Sequence, residues 1–293
     1  MMTLKINGHS GCSLDIKLDN HENLIVEKGC KESYVPRLKK QFEKQESAYL
    51  SLARNCISKE IGVPYPLWKD NVMQMPYIHG QSVFDYFETA SADDIKKFAD
   101  TLIEYINYEL ASSQVIYVDK DIFINKLEEV KTNISKNELI VDGIAATFAY
   151  YIDKVIDVIK NYDGHINIPM GKCHGDLTFS NIIFTNKKYW LIDFLDSYIE
   201  SPLQDIVKIR QDTVHYWSLN MATNKDKINH ARVKTIFKYI DRRIVDLYSM
   251  SEWWKWYQLV QYINILRIVP YVKEISVLEW LLKQIMSMGE IKL

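Results

Sequence analysis

Apolar and polar side chains alternate through Ser13-Leu14-Asp15-Ile16-Lys17-Leu18, a period of two that marks a half-buried strand. Thr3–Asn7 before it and Leu24-Ile25-Val26 after it read as two more strands. Gly8-His9-Ser10-Gly11 and the polar stretch 19–23 separate the three. The period then lengthens to that of a helix. Pro36 suits a first helical turn, and Leu38, Phe42, Ala48/Tyr49 and Leu52 give an imperfect apolar stripe. Residues 63–68 and 72–75 predict two further strands around an Asp70-Asn71 turn. Beyond residue 80 the pattern is mainly helical. Ser91-Ala92-Asp93-Asp94 reads as a capping box, followed by the stripe Ile95, Phe98/Ala99, Leu102, Ile103/Ile106 and Leu110. Helices are also expected near 121–133, 143–162, 203–221, 226–249, 253–269 and 276–287.

One β segment interrupts this helical half. Ile182-Ile183-Phe184 and Tyr189–Ile192 flank the polar turn Thr185-Asn186-Lys187-Lys188. With Asn186 and Lys187 as the turn residues, Ile182 faces Leu191 and Asn181 faces Ile192, one residue from Asp193. An amide oxygen and a carboxylate then meet at the open end of the hairpin, with Asp176 on the loop just before. Two oxygen ligands near a third carboxylate suit Mg²⁺, which takes one or two protein oxygens and fills its shell with phosphate and water. Phosphoryl transfer needs the same parts: a metal on the phosphates and a carboxylate that accepts the proton of the attacking hydroxyl. A plain surface hairpin with polar ends would explain any one of these residues, but not the ordered set.

Composition narrows the picture without redirecting it. The 293 residues suffice for one or two packed domains, and a formal net charge of −2 offers no general attraction to nucleic acid. Cys12, Cys30, Cys56 and Cys173 contain no C-x-x-C pair, which favours reduced thiols in a cytoplasmic protein over a disulfide framework or zinc site. Cys173, beside His174, reads as a buried strand residue. No apolar run resembles a signal peptide or a bilayer span, so membrane insertion is not expected.

The segment His174-Gly175-Asp176-x-x-x-x-Asn181, with Ile192-Asp193-Phe194 after it, resembles the catalytic core of the aminoglycoside phosphotransferase and choline kinase-like family, relatives of protein kinases. The resemblance implies an α+β, bilobal protein-kinase-like fold. A small antiparallel-sheet lobe (1–78) would precede a larger, mainly helical lobe (79–293), with ATP and Mg²⁺ between them. Asp176 would be the catalytic base, Asn181 and Asp193 the metal ligands, and His174 a structural residue of the loop. Lys28 would contact the nucleotide phosphates, oriented by Glu46 on the first helix, with Glu43 as the reserve partner. Met75 and Tyr77 would offer backbone groups to the adenine edge. Tyr77 is the better donor position, because Pro76 has no N–H. Asp205 would brace the catalytic loop. Gly8 and Gly11 gain interest only as a turn near the phosphates.

The acceptor is less sharply written. Asp196, Arg210 and Asp212 are candidate acceptor-binding residues, with Gln211, His215, Tyr216 and Trp217 close by. Trp253-Trp254-Lys255-Trp256-Tyr257 could cage a choline cation, although Trp253, Trp256/Tyr257, Val260 and Ile263 share one helical face and fit a core stripe better. The expected activity is ATP- and Mg²⁺-dependent phosphorylation of a small-molecule hydroxyl on a sugar, amino alcohol or aminocyclitol. The alternative is a nucleotide-binding regulatory or scaffold protein with little turnover. Gly175 stands where most protein kinases carry Arg, so control through a phosphorylated activation loop is not expected.

Overall fold

The computed structural model describes residues 4–7, 12–55 and 59–291. Gly8, Gly11 and Cys56 lie outside the described residues. Strands β1 (Leu4–Asn7), β2 (Cys12–Leu18) and β3 (Leu24–Cys30) form a meander. Helix α1 (Val35–Asn55) follows, then β4 (Ile61–Gly62), β5 (Leu67–Lys69) and β6 (Val72–Pro76). Five of these strands make one antiparallel sheet in the order β1-β2-β3-β6-β5. Asp70 and Asn71 turn β5 into β6 with φ of 51° and 61°, the left-handed pair that a tight hairpin favours and that Asp and Asn tolerate. Leu38 and Phe42 of α1 pack on Met73 and Met75 of β6 as a small separate core.

The chain then becomes helical: α2 (Val83–Thr89), α3 (Ala92–Ala111), strand β7 (Gln114–Val118), α4 (Lys120–Ile134), α5 (Asp142–Asn161) and strand β8 (Ile166–Met170). The capping box at α3 is present: Ser91 N–H donates to Asp94 Oδ2 at 2.9 Å, and Asp94 N–H to Ser91 Oγ at 3.2 Å. The β7–β8 pair was not anticipated. Val115, Ile116 and Tyr117 of β7 are all about half exposed, so the strand lacks the alternation that reveals one. Cys173 is buried as expected, but in the loop after β8 rather than in a strand.

The hairpin β9 (Ile182–Phe184) and β10 (Tyr189–Leu191) has the anticipated register, Ile182 opposite Leu191. Strand β4 adds to it in parallel, Ile61 beside Tyr189. Ile61 and Val63 thereby join the large helical core. The remaining helices are α6 (Pro202–Thr213), α7 (Trp217–Met221), α8 (His230–Tyr248), α9 (Tyr257–Leu266) and α10 (Ile275–Ser287). The single helix expected over 203–221 is broken, because Tyr216 takes the left-handed conformation at φ 58°. Residues 252–256 wind as a 3₁₀ turn ahead of α9. Among the described residues no helix is long and apolar enough to cross a membrane.

Candidate active site

The loop from Cys173 to Asn181 is held from beneath by α6. Ser201 caps that helix and Pro202 fills its first turn, which sets Asp205 at the helix start, facing the loop. His174 N–H donates to Asp205 Oδ2 and Gly175 N–H to Oδ1, at 2.5 and 2.7 Å. Complete burial raises the Asp205 carboxyl to about 6, against the lowering pull of Lys44 and these two bonds. Asp212, two turns on, is equally buried. It receives N–H bonds from Phe179 and Ser218, both at 2.6 Å. Asp205 is therefore the brace that the sequence suggested, and Asp212 is a second one. Asp212 is corrected here: it is sealed beneath the loop and has no face for an acceptor.

His174 ties the loop to the segment that carries Asp193. Its Nε2 lies 2.9 Å from Ile192 O, and its Nδ1 3.3 Å from Asp176 N. A carbonyl needs a donor and an amide needs an acceptor, so these partners fix the neutral tautomer with the proton on Nε2. Burial lowers its pKa to about 4, which keeps the ring neutral. Gly175 has φ 85°, and a Cβ there would stand 2.1 Å from Leu195 O. No side chain fits that position.

Asp176, Asn181 and Asp193 converge as the hairpin register requires. Asn181 Nδ2 donates to Asp176 O at 2.8 Å and to Oδ2 at 3.0 Å, which leaves its Oδ1 free for a cation. Ile192 N–H donates to Asn181 O at 3.0 Å, fixing the neighbouring Asp193. Asp193 itself is left-handed at φ 62°, an uncommon state for a non-glycine residue and one that concentrates at functional sites. Among the described residues no group of three or more His, Cys, Asp or Glu side chains could hold a metal. A magnesium site of one carboxylate, one amide oxygen and phosphate needs no such group, and this donor set fits it.

Lys208, on α6, is the residue the sequence reading missed. Its Nζ lies 2.9 Å from Asp176 Oδ1 and it is 6% exposed. Burial alone would raise the Asp176 carboxyl, but the Lys208 ammonium overrides it and holds the group below its ordinary value. The signal was present, since Lys208 follows Asp205 by three residues and so shares its helix face.

Lys28 reaches the same centre from β3, with Asp193 Oδ1 at 2.5 Å and Gln41 Oε1 at 2.8 Å. The orienting partner is thus Gln41, not Glu46 or Glu43. At 100° per residue, Glu46 lies about 140° around α1 from Gln41, and Glu43 about 160°. The helix face that meets residues 193–200 is Arg37, Gln41 and Lys44, spaced i, i+4, i+7. Arg37 Nε binds Asp196 Oδ1 at 2.9 Å. Lys44 Nζ binds Leu195 O at 2.7 Å and Glu200 Oε2 at 2.6 Å. Asp196, read as an acceptor residue, is committed to Arg37 as a tie between the lobes.

The adenine-edge expectation shifts by one residue. Tyr77 N–H donates to Leu24 O at 3.0 Å, and Met75 pairs with Val26, so both face into the sheet. By the alternation of an antiparallel ladder, the outward groups are Pro76 C=O and Ile78 N–H. Arg210 is also corrected. It binds Asp241 at 2.8 Å, and its guanidinium carbon lies 4.3 Å from the Tyr257 ring centre and 5.4 Å from that of Trp254. Those two rings stack on each other at 5.0 Å. The aromatic run does hold a cation, and the cation is the chain's own. Trp253, Trp256, Val260 and Ile263 are core residues.

No family model matches the chain, and no curated protein matches it. Solved structures match over nearly the whole length. The gentamicin complex of APH(2")-IIa aligns at a TM-score of 0.59 and 16% identity, over 97% of this chain and 91% of that one. The ADP-bound aminoglycoside phosphotransferase APH(2'')-Ib aligns at 0.57 and 16%, over 99% and 95%. This chain has the fold of those kinases. A glucosamine kinase in complex with glucosamine, ADP and inorganic phosphate has it too, at 0.56 and 11% identity, over 97% and 93%.

Proposed function

We propose that the protein transfers the γ-phosphate of ATP, with Mg²⁺, to a hydroxyl of a small molecule of the sugar, amino-alcohol or aminocyclitol kind. The observation that carries this reading is the meeting of Asp176, Asn181 and Asp193 at one end of the β9–β10 hairpin, with Lys28 arriving from the opposite lobe. The fold shared with the aminoglycoside phosphotransferases and the glucosamine kinase supports it.

Adenine would lie along Pro76 C=O and Ile78 N–H, and Lys28 would turn from Asp193 to the phosphates while Gln41 keeps it oriented. Asn181 Oδ1 and Asp193 would hold Mg²⁺, whose charge offsets that of the phosphates when bound. Asp176, ionised under the influence of Lys208, accepts the proton of the acceptor hydroxyl. The acceptor oxygen bonds to the γ-phosphorus as the bond to the ADP oxygen breaks. Lys208, beside Asp176, lies where negative charge develops, and a fixed ammonium in a dry site stabilises it strongly. Asp205, Asp212 and His174 keep the loop in place, so little reorganisation is left for the reaction.

Transfer of γ-labelled phosphate from ATP to a panel of sugars, amino alcohols and aminocyclitols, with and without Mg²⁺, tests the proposal. Metal-dependent labelling of an acceptor is the expected result. Tight Mg²⁺-ATP binding with no transfer to any class would overturn it in favour of a nucleotide-binding scaffold.

A further inference from the structure

Among the described residues β7 pairs with β8 alone, which leaves its other edge open. Val115 stands opposite Pro169 and Tyr117 opposite Asn167. Pro169 has no N–H to give, so it and Val115 form a pair without hydrogen bonds between them. The Pro169 carbonyl turns the other way and accepts from Ser201 Oγ at 2.5 Å. By the alternation of an antiparallel ladder, Tyr117 and Asn167 make another such pair. The N–H and C=O groups of Val115 and Tyr117 therefore point away from β8. Among the described residues these groups have no hydrogen-bond partner. Val115, Ile116 and Tyr117 are all about half exposed. Open edges pair readily with other strands, and proteins ordinarily guard them with lysine, proline or a covering element. Gln114-Val115-Ile116-Tyr117-Val118 carries no charge and no proline.

This edge is complementary to itself. Its two outward-facing residues flank Ile116, so a two-fold axis at Ile116 sets Val115 of one copy against Tyr117 of the other. Each such pair exchanges both of its N–H···O bonds, as the hydrogen-bonded pairs of an antiparallel ladder do. A β-branched side chain then lies beside an aromatic one, a favourable cross-strand neighbour. No charged residue of the strand meets its own copy. The adjoining groove of about 480 Å³, which Val115 and Tyr117 line, has one residue of each sign in its wall, Glu252 and Lys255. Two copies thus meet without net repulsion. The far edge of β8 is already occupied, by the Ser201 bond and by Gly171 N–H donating to Glu200 O at 2.9 Å. An isologous contact of this kind closes at two copies and does not grow into a fibre.

We propose that the open edge of β7 pairs antiparallel with the same edge of a second copy of this chain, about a two-fold axis at Ile116, to give a dimer with one continuous sheet in the order β8-β7-β7-β8. The inference is independent of the kinase reading, because no residue of the candidate active site takes part.

Sedimentation of the full chain over a wide concentration range tests it. A species of twice the 34.5 kDa chain mass is expected, in concentration-dependent exchange with the monomer. In this register Ile116 faces Ile116 of the second copy as a pair without hydrogen bonds, about 4.5 Å apart at Cα. Ile116→Lys and Ile116→Glu each bring like charges together there, and each should weaken association by roughly tenfold or more. An equimolar mixture of the two should restore it, because the mixed dimer pairs opposite charges. Ile116→Cys puts two thiols within disulfide reach across the axis. Under mild oxidation it should yield a covalent dimer well beyond that of the unaltered chain or of Leu247→Cys, an exposed position on α8. An unchanged circular dichroism spectrum shows that the variants are folded. The cysteine variant places no charge on the strand and still decides the matter if the charged ones fail to fold. A monomer at every concentration overturns the proposal. So does a dimer indifferent to Ile116→Lys and Ile116→Glu, a loss that their mixture does not recover, or no excess cross-linking of Ile116→Cys.

Discussion

The loop that carries Asp176 and the Lys28 junction face the same centre, yet they are built by opposite means. Around Asp176 the supports are short, buried and anchored in backbone: Asp205 on two N–H groups, Asp212 on two more, His174 between Ile192 O and Asp176 N. Around Lys28 the supports are long side chains meeting each other across the lobes, Lys28 with Gln41 and Asp193, Arg37 with Asp196, Lys44 with Glu200. Buried backbone bonds give a fixed geometry, which proton transfer demands. Flexible side-chain pairs can exchange partners, which suits a place where a nucleotide enters and leaves. The loop side is thus set in advance and the lysine side is adjustable.

The contrast is broken most forcefully by Asp205→Ala. Two buried N–H groups would lose their acceptor at a cost of about 1–3 kcal/mol each. A fall in the denaturation midpoint and near-complete loss of transfer are expected together. Lys208→Met comes next. Loss of the ammonium removes the largest influence that favours the carboxylate, so the Asp176 pKa rises and the base stays protonated up to a higher pH. The acid limb of the kcat/KM profile should move to higher pH, with ATP affinity little changed. An acid limb that stays put would deny Lys208 its effect on the base. The smallest effect belongs to Gln41→Ala. Lys28 loses one charged hydrogen bond of about 1.5–3 kcal/mol at most but keeps Asp193. A rise in KM for ATP of about tenfold or less, with the pH profile unmoved, would place Gln41 on the adjustable side of the site.

The same division explains what could be read from the sequence. Asn181 and Asp193 were legible because a two-residue hairpin turn fixes their register over a short stretch of chain, and Asp176 because the motif around it resembles a known family's. Asp205 followed from the family resemblance, which places an aspartate in the first turn of this helix. Gln41 escaped because it meets Lys28 only through the packing of α1 on the sheet. A search for a glutamate also passed over the Arg37, Gln41, Lys44 face, whose i, i+4, i+7 spacing is visible in the sequence. Around residues 75–78 the phase escaped the sequence, because ladder register depends on which residue of β3 lies opposite. Tyr216 broke a helix that apolar periodicity carried straight through it.

In the proposed reaction Asp176 performs the proton transfer while Asp193 serves the nucleotide and its metal. Turnover and Mg²⁺-dependent ATP affinity, measured side by side for Asp176→Asn and Asp193→Asn, test it most directly. Asp176→Asn should lower kcat by roughly 10²–10⁴-fold with ATP affinity retained, whereas Asp193→Asn should abolish the effect of Mg²⁺ on that affinity. Full turnover by Asp176→Asn would contradict it.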